Sequence, residues 1–492
     1  MKRSSGILMH ISSLPGKFGI GSVGREAYKF VDFLKAAGQK HWQILPLGQT
    51  GYGDSPYQCY SAFAGNPNFI DLDLLKKDGL LKLSDYENLN YGENIEKVDY
   101  LSVEQTRKEI FLKAYSNFKG KKSKEFETFK EENKSWLEDY SLYMAIKEHF
   151  NLVSWQEWDK DIRVRKPEAM VKYKNMLNDK IEYWNFIQFK FFEQWNKLKA
   201  YANENEVQII GDMPIYVAED SSDTWSNPRL FKMDENMRPI SVAGCPPDAF
   251  SITGQLWGNP IYDWDAMDKD NYNWWILRVK ESFKIYDVLR IDHFRGFESY
   301  WEIPYGDPTA EFGQWTKGPG NKLFKAIKDE LGDLNIIAED LGFMTQEVTD
   351  LINETGYPGM KILQFAFGGG DSEYLPHNCT RNSVIYTGTH DNETIRGWIE
   401  DEGSADALEY AKKYLMLSEE EGYNWGFIRG IWSSVSDLAI APMQDLLDLG
   451  KEARFNIPST LGGNWQWRAT KSQLTVELAE RILEITKTYG RM

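Results

Sequence analysis

The chain has 492 residues, 42% hydrophobic and 27% charged, a globular balance with room for one large elaborated domain or several smaller ones. A net charge of −17 argues against nucleic acid, because phosphate recognition needs a basic surface that releases counterions. No run of eighteen apolar residues is present to cross a membrane, and the apolar stretch after Met1-Lys2-Arg3 is too short for a secretion signal. Cys59, Cys245 and Cys379 lack metal-ligand spacing, so a reducing, cytoplasmic setting is expected.

Short β-rich apolar runs occur in order at 6–12, 41–46, 207–212, 288–292, 336–339, 360–365, 384–387 and 438–441. Between most of them lie stretches of helical periodicity. Residues 27–34 repeat apolar side chains at i, i+3 and i+4, and Gly38 supplies a stop. Residues 272–286, 321–331, 345–354 and 405–415 follow the same pattern. Strand–helix alternation repeated in this way predicts the α/β class and a (β/α)8 TIM barrel, with 1–492 as a single catalytic barrel. Periodicity alone does not separate a closed barrel from an open sheet.

Two connections are too long for a plain barrel. Residues 47–206 separate the second and third strands, and the reading there is a mainly helical insertion, 70–190, running into the barrel's own helix. Residues 216–271, rich in Pro, Gly, Trp and Asp and poor in periodicity, read as a loop-rich insertion on the active face. The residues after 441 are too few for an appended C-terminal β-sandwich. The 18 Trp, 26 Tyr and 26 Phe must mostly fill the core, but those in Gly/Pro-rich loops also suit the apolar faces of pyranose rings.

Three acids stand where apolar runs stop: Asp292 in 288–295, Glu339 in 335–342 and Asp391 in 385–392. In a parallel barrel the strand C-terminal ends converge, so these carboxylates are expected to meet over one substrate. A pair of carboxyls with a third acid is the equipment of glycosidic bond chemistry. Arg290 shares a strand face with Asp292, and a guanidinium there is expected to lower the Asp292 pKa and fix its orientation. Glu339 ends an apolar run, which favours its protonated form. Asp340, on the opposite face, is a candidate helix cap. His390 and Asn392 flank Asp391 and offer hydrogen bonds to hydroxyls. The remaining histidines show no metal spacing, and neither a Walker loop nor a dinucleotide fingerprint occurs; no metal or organic cofactor is expected.

The segments Arg290-Ile-Asp-His-Phe-Arg295, Ala338-Glu-Asp-Leu-Gly342 and Thr389-His-Asp-Asn392 resemble the catalytic segments of the α-amylase clan. Gly51–Tyr57, Ser61–Pro67, Gly211–Val217, Gly244–Phe250, Gly254–Pro260 and Gly463–Arg468 narrow the resemblance to 4-α-glucanotransferases of the amylomaltase or disproportionating-enzyme type, glycoside hydrolase family 77, over residues 5–468. The resemblance implies Asp292 as nucleophile, Glu339 as general acid/base and Asp391 as transition-state stabiliser. It implies that Arg290 and His390 hold the sugar and orient the acids, that Tyr57 stacks beneath the sugar, and that Asp212 contacts its hydroxyls. Ser55, Asp248, Gln255, Trp257 and Asn464 would line the subsites, and 246–256 would be a loop covering the site. Glu393, where the clan often has Asp, and Ser459, where Gly is frequent, depart from the pattern.

The implied reaction moves a segment of an α-1,4-glucan to the 4-hydroxyl of another glucan or glucose, with maltooligosaccharides as donors and acceptors. A hydrolase using the same acids and a glucan-binding protein on a barrel scaffold are the competing readings. The first gives new reducing ends without longer products; the second gives no turnover.

Overall fold

The computed structural model describes residues 2–51, 53–247 and 251–492. Its strands are β1 (Ser4–Leu8), β2 (His41–Gln43), β3 (Gln208–Met213), β4 (Ser241–Cys245), β5 (Gln255–Pro260), β6 (Val288–Ile291), β7 (Ser299–Pro304), β8 (Gln314–Lys317), β9 (Ile336–Ala338), β10 (Gly359–Ile362), β11 (Ser383–Tyr386) and β12 (Leu438–Pro442). Eight of them form one parallel sheet in the order β10-β11-β12-β1-β2-β3-β6-β9. Each follows its predecessor in the chain around the ring, as in a TIM barrel. β1, β6, β11 and β12 are buried at every position. A strand covered on both faces has no solvent-facing side, which is why its sequence is mostly apolar without a polar alternation. β1 and β2 end earlier than their apolar runs; in the second, Pro46 has no N–H to give a neighbouring strand.

The ring closes between β9 and β10 with few backbone bonds. Ala338 N donates to Pro358 O at 3.0 Å. The next contact is made by a side chain: Met360 N donates to Asp340 Oδ1 at 2.6 Å. Asp340 therefore clasps the barrel seam instead of capping a helix. Gly359 makes this approach possible, since a Cβ there would lie 2.3 Å from Asp340 Oδ2.

Helices fill the connection between β2 and β3, the longest being Asn178–Glu204 with 27 residues. Tyr183, Trp184, Phe186, Ile187, Phe189 and Phe191 are all buried, so this half is apolar nearly all round, as a helix enclosed by other helices must be. Further along, Trp195, Leu198 and Ala202 form a single stripe. Two glutamines on it clasp the loop ahead of the insertion. Gln188 takes Gly65 N at 2.8 Å and donates to Gly65 O at 2.9 Å, and Gln194 treats Asp71 likewise at 2.7 and 3.2 Å. The insertion thereby anchors the chain that follows Tyr57.

Residues 216–271 are more ordered than their composition suggests. They contribute β4 and β5 to a second sheet of order β5-β4-β7-β8, antiparallel throughout, which the sequence reading did not find. The segment 246–256 joins β4 to β5. Past β12 a short helix, Met443–Leu446, leads through a long loop to the last helix, Val476–Thr488, which lies beside Arg25–Ala36. Among the described residues, no helix is long and apolar enough to cross a membrane.

Replacing Asp340 with Ala leaves the buried Met360 N–H without an acceptor. We expect a loss of about 1–3 kcal/mol in urea unfolding. Asp340→Asn, which keeps a carbonyl in place, should recover part of it. A wild-type midpoint for Asp340→Ala would show that the clasp does not hold the seam.

Candidate active site

The strand ends deliver the acids through backbone bonds. Asp292 N donates to Met213 O and Glu339 N to Ile291 O, both at 3.0 Å, so each acid is registered against the preceding barrel strand. His293 then turns left-handed (φ 53°). This aims its N–H at Glu339 Oε2, 2.6 Å away, while Leu341 N donates to Oε1 at 2.9 Å. Phe294 N donates to Glu339 O at 3.0 Å, welding the two acid-bearing turns together. Asp391 lies in a turn shaped by Asn392, whose Oδ1 accepts from Thr389 N and Oγ1, each at 2.9 Å.

A continuous polar chain joins Asp292 to Asp391. Arg290 Nη1 lies 3.1 Å from Asp292 Oδ1 and 2.7 Å from both oxygens of Asp212. Tyr57 Oη donates to Asp212 Oδ2 at 2.7 Å and lies 2.8 Å from His390 Nε2. The phenol has one proton, and the carboxylate takes it; His390 must therefore present a protonated Nε2. The same nitrogen lies 3.3 Å from Asp391 Oδ2. Asn456 Nδ2 donates to Asp391 Oδ1 at 2.7 Å, and Arg454 Nη2 to Asp391 O at 2.7 Å.

The environment separates the three acids. Burial, then the charge of Asp292, raises Glu339 to about 8 despite Arg290 and the two backbone donors. Burial also raises Asp292, to about 6, with Arg290 opposing it. The sequence expectation of a lowered Asp292 is therefore corrected: burial outweighs the guanidinium, whose charge is largely committed to Asp212. The rise is smaller than for Glu339, because Arg290 lies 3.1 Å from Asp292 and bears on it more strongly, while Glu339 is raised further by the Asp292 charge. At Asp391 burial is overcome by His390 and the Asn456 hydrogen bond, which hold it down at about 2. Burial lowers His390, but Asp391 more than compensates, so the imidazole is held towards its charged form. Burial and the charge of Asp212 keep the Tyr57 phenol protonated.

The binding candidates divide by what they touch. Tyr57 stacks on His390 at 5.1 Å, with Trp465 tilted 5.8 Å away. Ser55 Oγ accepts from Tyr57 N and shapes that turn. Trp257 donates to Gln255 Oε1 at 3.1 Å and meets His293 edge-on at 4.8 Å, which sets both beside the Asp292 turn. Asp212, expected against sugar hydroxyls, has no exposed side-chain surface and is engaged by Arg290 and Tyr57. Asn464 is also turned inwards: its amide accepts from Ile457 N and donates to Thr460, closing the 457–464 loop. Asp248 lies outside the described residues. Arg454 and Asn456 were not singled out from sequence; their signal was a basic residue and an amide shortly before Ser459. Ser459 stands at φ 63°, a left-handed conformation in which glycine carries no penalty. Glu393 accepts from Arg454 Nη1 at 3.3 Å. Among the described residues, no group of three or more His, Cys, Asp or Glu is arranged to hold a metal ion.

A parallel barrel with acids at three strand ends, one tending to keep its proton and two tending to lose theirs, defines an enzyme of the glycoside hydrolase type. The profile of the 4-alpha-glucanotransferase family, glycoside hydrolase family 77, matches residues 9–474, and the chain belongs to that family. It is 58% identical to a 4-alpha-glucanotransferase of Clostridium butyricum, over 98% of this chain and 100% of the relative. A Thermus thermophilus 4-alpha-glucanotransferase is 44% identical over the whole of both chains. The amylomaltase of Streptococcus agalactiae, solved with acarbose, superposes with a TM-score of 0.97 at 47% identity, covering all of both chains.

Carboxyl titration by 13C NMR on glutamate-labelled protein should show one residue titrating near 8, lost in Glu339→Gln. Asp292→Asn should shift it downwards, since the neighbouring charge goes and burial stays. If no glutamate titrates above pH 7, the proposed protonation of Glu339 is wrong.

Proposed function

We propose that the protein transfers a segment of an α-1,4-glucan to the 4-hydroxyl of glucose or another glucan by a retaining double displacement. The observation that carries this reading is a pair of neighbouring carboxyls at adjacent strand ends, Asp292 held 3.1 Å from Arg290 and Glu339 enclosed beside the Asp292 charge, which keeps the Glu339 proton the more firmly bound. Near neutrality one is a nucleophile and the other a general acid.

In the first step an Asp292 oxygen forms a bond to the anomeric carbon as the glycosidic bond breaks. The Glu339 proton passes to the departing oxygen. In the second step Glu339, now ionised, takes the proton of the acceptor's 4-hydroxyl, whose oxygen attacks the anomeric carbon and releases Asp292. Both transition states place positive charge on the sugar, which the ionised Asp391 stabilises. Its position is kept by His390, Asn456 and Arg454. Arg290 orients Asp292; Asp212 acts through Arg290 and Tyr57, and Asn464 through its loop. Tyr57, Gln255 and Trp257 are the side chains we assign to sugar contact, with Ser55 holding Tyr57. The two carboxyls supply nucleophile, acid and base, so the scheme needs no cofactor.

Residues 1–492 work as one barrel in this reading. The insertion 70–190 steadies the wall that carries Tyr57, and 216–271 brings Gln255 and Trp257 over the cleft. The segment 246–256 favours transfer by limiting water at the glycosyl-enzyme. Maltooligosaccharides are the expected donors and acceptors. The free thiols of Cys59 and Cys379 suit a reducing cytoplasm.

Incubation with maltotriose alone should give glucose and a ladder of longer oligosaccharides, with total reducing ends constant. A rise in reducing ends without longer products would make the protein a hydrolase, and no turnover would leave only glucan binding. Glu339→Gln supplied with maltosyl fluoride should accumulate a glycosyl ester on Asp292, read by mass spectrometry of the peptide. Ester on another residue, or none while the fluoride is consumed, would refute the covalent route.

The kcat/KM profile should be bell-shaped. It falls below about 6 as Asp292 gains a proton and above about 8 as Glu339 loses one, the limbs belonging to the coupled pair. Glu339→Gln should cost roughly 10²–10⁴-fold on an unactivated glucan and lose the alkaline limb. An unchanged alkaline limb in that variant would remove Glu339 from the acid role.

A further inference from the structure

Trp315 lies on β8, the outer strand of the antiparallel sheet, and is 43% exposed. It is nonetheless held firmly. The Arg295 guanidinium, itself only 3% exposed, sits 3.8 Å from the centre of its ring, and Trp301 meets it edge-on at 5.2 Å. Arg295 is fixed in turn by Nη1 donating to Phe343 O at 2.8 Å and Nη2 to Ser299 Oγ at 2.9 Å. Phe343 is also 43% exposed.

The place is as telling as the exposure. Arg295 belongs to the turn that follows Asp292, and Phe343 to the loop that follows Glu339. Trp301 Nε1 donates to Ala310 O at 2.8 Å, and Ala310 N to Thr253 O at 3.1 Å, which ties the same cluster to the covering segment. One large aromatic side chain, Trp315, is therefore stiffened without being buried, and a second, Phe343, is anchored through its backbone carbonyl, where both acid-bearing loops and the covering segment meet. Ordering exposed aromatic surface gains little in folding, while a rigid ring loses little entropy when it binds.

We propose that Trp315 and Phe343 form a stacking platform for the distal part of an α-1,4-glucan on the acceptor side, beyond the cleavage site. The proposal rests on the glucan-transferring reading above. The acceptor side follows from chemistry: Glu339 gives its proton to the departing sugar, so the loop after it borders that side. A neutral sugar suits the platform, because Arg295 lies beneath the ring and is not offered to an anion. The C–H face of a pyranose has the flatness and polarity to lie on an indole.

The binding test uses Asp292→Asn, which cannot turn over, titrated calorimetrically with maltoheptaose and maltotriose. Adding Trp315→Ala should weaken maltoheptaose roughly two- to tenfold, the range for one lost stacking contact, and lower the heptaose-to-triose affinity ratio by a similar factor. Trp315→Phe should restore most of it, and melting curves check the fold. In the active enzyme Trp315→Ala should lower the ratio of kcat/KM for long over short acceptors. Equal effects on both lengths, no effect, or no maltoheptaose binding at all would overturn the platform. Failure of the wild type to disproportionate maltotriose would overturn the transferase reading instead, and the calorimetry would still decide on the platform.

Discussion

The mouth of the barrel depends on one buried ion pair, Arg290 with Asp212. Arg290 is 3% exposed and the Asp212 side chain has no open surface, so neither charge is tolerable without the other. Their contact spans adjacent strands, β3 and β6, and each partner hands its position on. Arg290 reaches Asp292, while Asp212 takes the Tyr57 proton, which obliges His390 to offer Nε2–H and so sets its relation to Asp391. Removing Arg290 would leave Asp212 buried without its counter-charge, removing Asp212 would leave Arg290 to Asp292 alone, and either loss would release the side chains the pair aligns. A buried pair is a poor source of net stability; its value here is geometric.

Around that pair the fold separates the titration of three carboxyls within a single cleft. Glu339 is drawn up by enclosure and by a like charge, although its two oxygens accept backbone N–H groups. Asp292 receives less of the same enclosure and a share of Arg290. Asp391, with 46% of its side chain exposed, owes its low value to His390 and Asn456. The order of proton loss follows from depth and partner, not from residue type. A strand end is a suitable place for this control, since the residue just past the ladder is fixed by its neighbours yet faces the opening.

This also explains what the sequence made legible. Barrel strands covered on both faces are mostly apolar, so Ile336–Ala338 and, apart from Arg290, Val288–Ile291 stand out, and an acid at the end of such a run has no packing reason to be there. The antiparallel sheet was hidden because β4, which pairs with β5 on one side, finds its other partner β7 on the far side of β6, and no local pattern reports so distant a pairing. Arg454 and Asn456 were hidden because loop residues carry no periodicity. Asp212 and Asn464 show a different limit: an acid or amide in a cleft motif has the same composition whether it faces sugar or protein. The direction of the Asp292 shift depended on depth, which Arg290's spacing along the strand does not encode. Asp340 looked like a helix cap for the same reason, because only the closed ring reveals that the β9–β10 seam has few backbone bonds.

Transfer places opposing demands on such a site. The acids must be held within tenths of an ångström, while one sugar leaves and another enters through the same opening. The two sheets divide these demands. The barrel mouth is fixed by backbone bonds between strand ends and by fully buried charges, whose disruption would cost much of the fold. The β4–β5 hairpin is held at two places: Val242 joins a small separate cluster with Ile303 and Ala310, with Trp301 packed against it, while Ala243 and Trp257 pack on the main core. Little apolar surface is lost if that cluster opens, and segments with few buried contacts are those that open at least cost. Gln255, at the start of β5, thus belongs to the part that can adjust to an arriving chain, Trp257 joins that part to the core, and Asp292, Glu339 and Asp391 belong to the part that cannot.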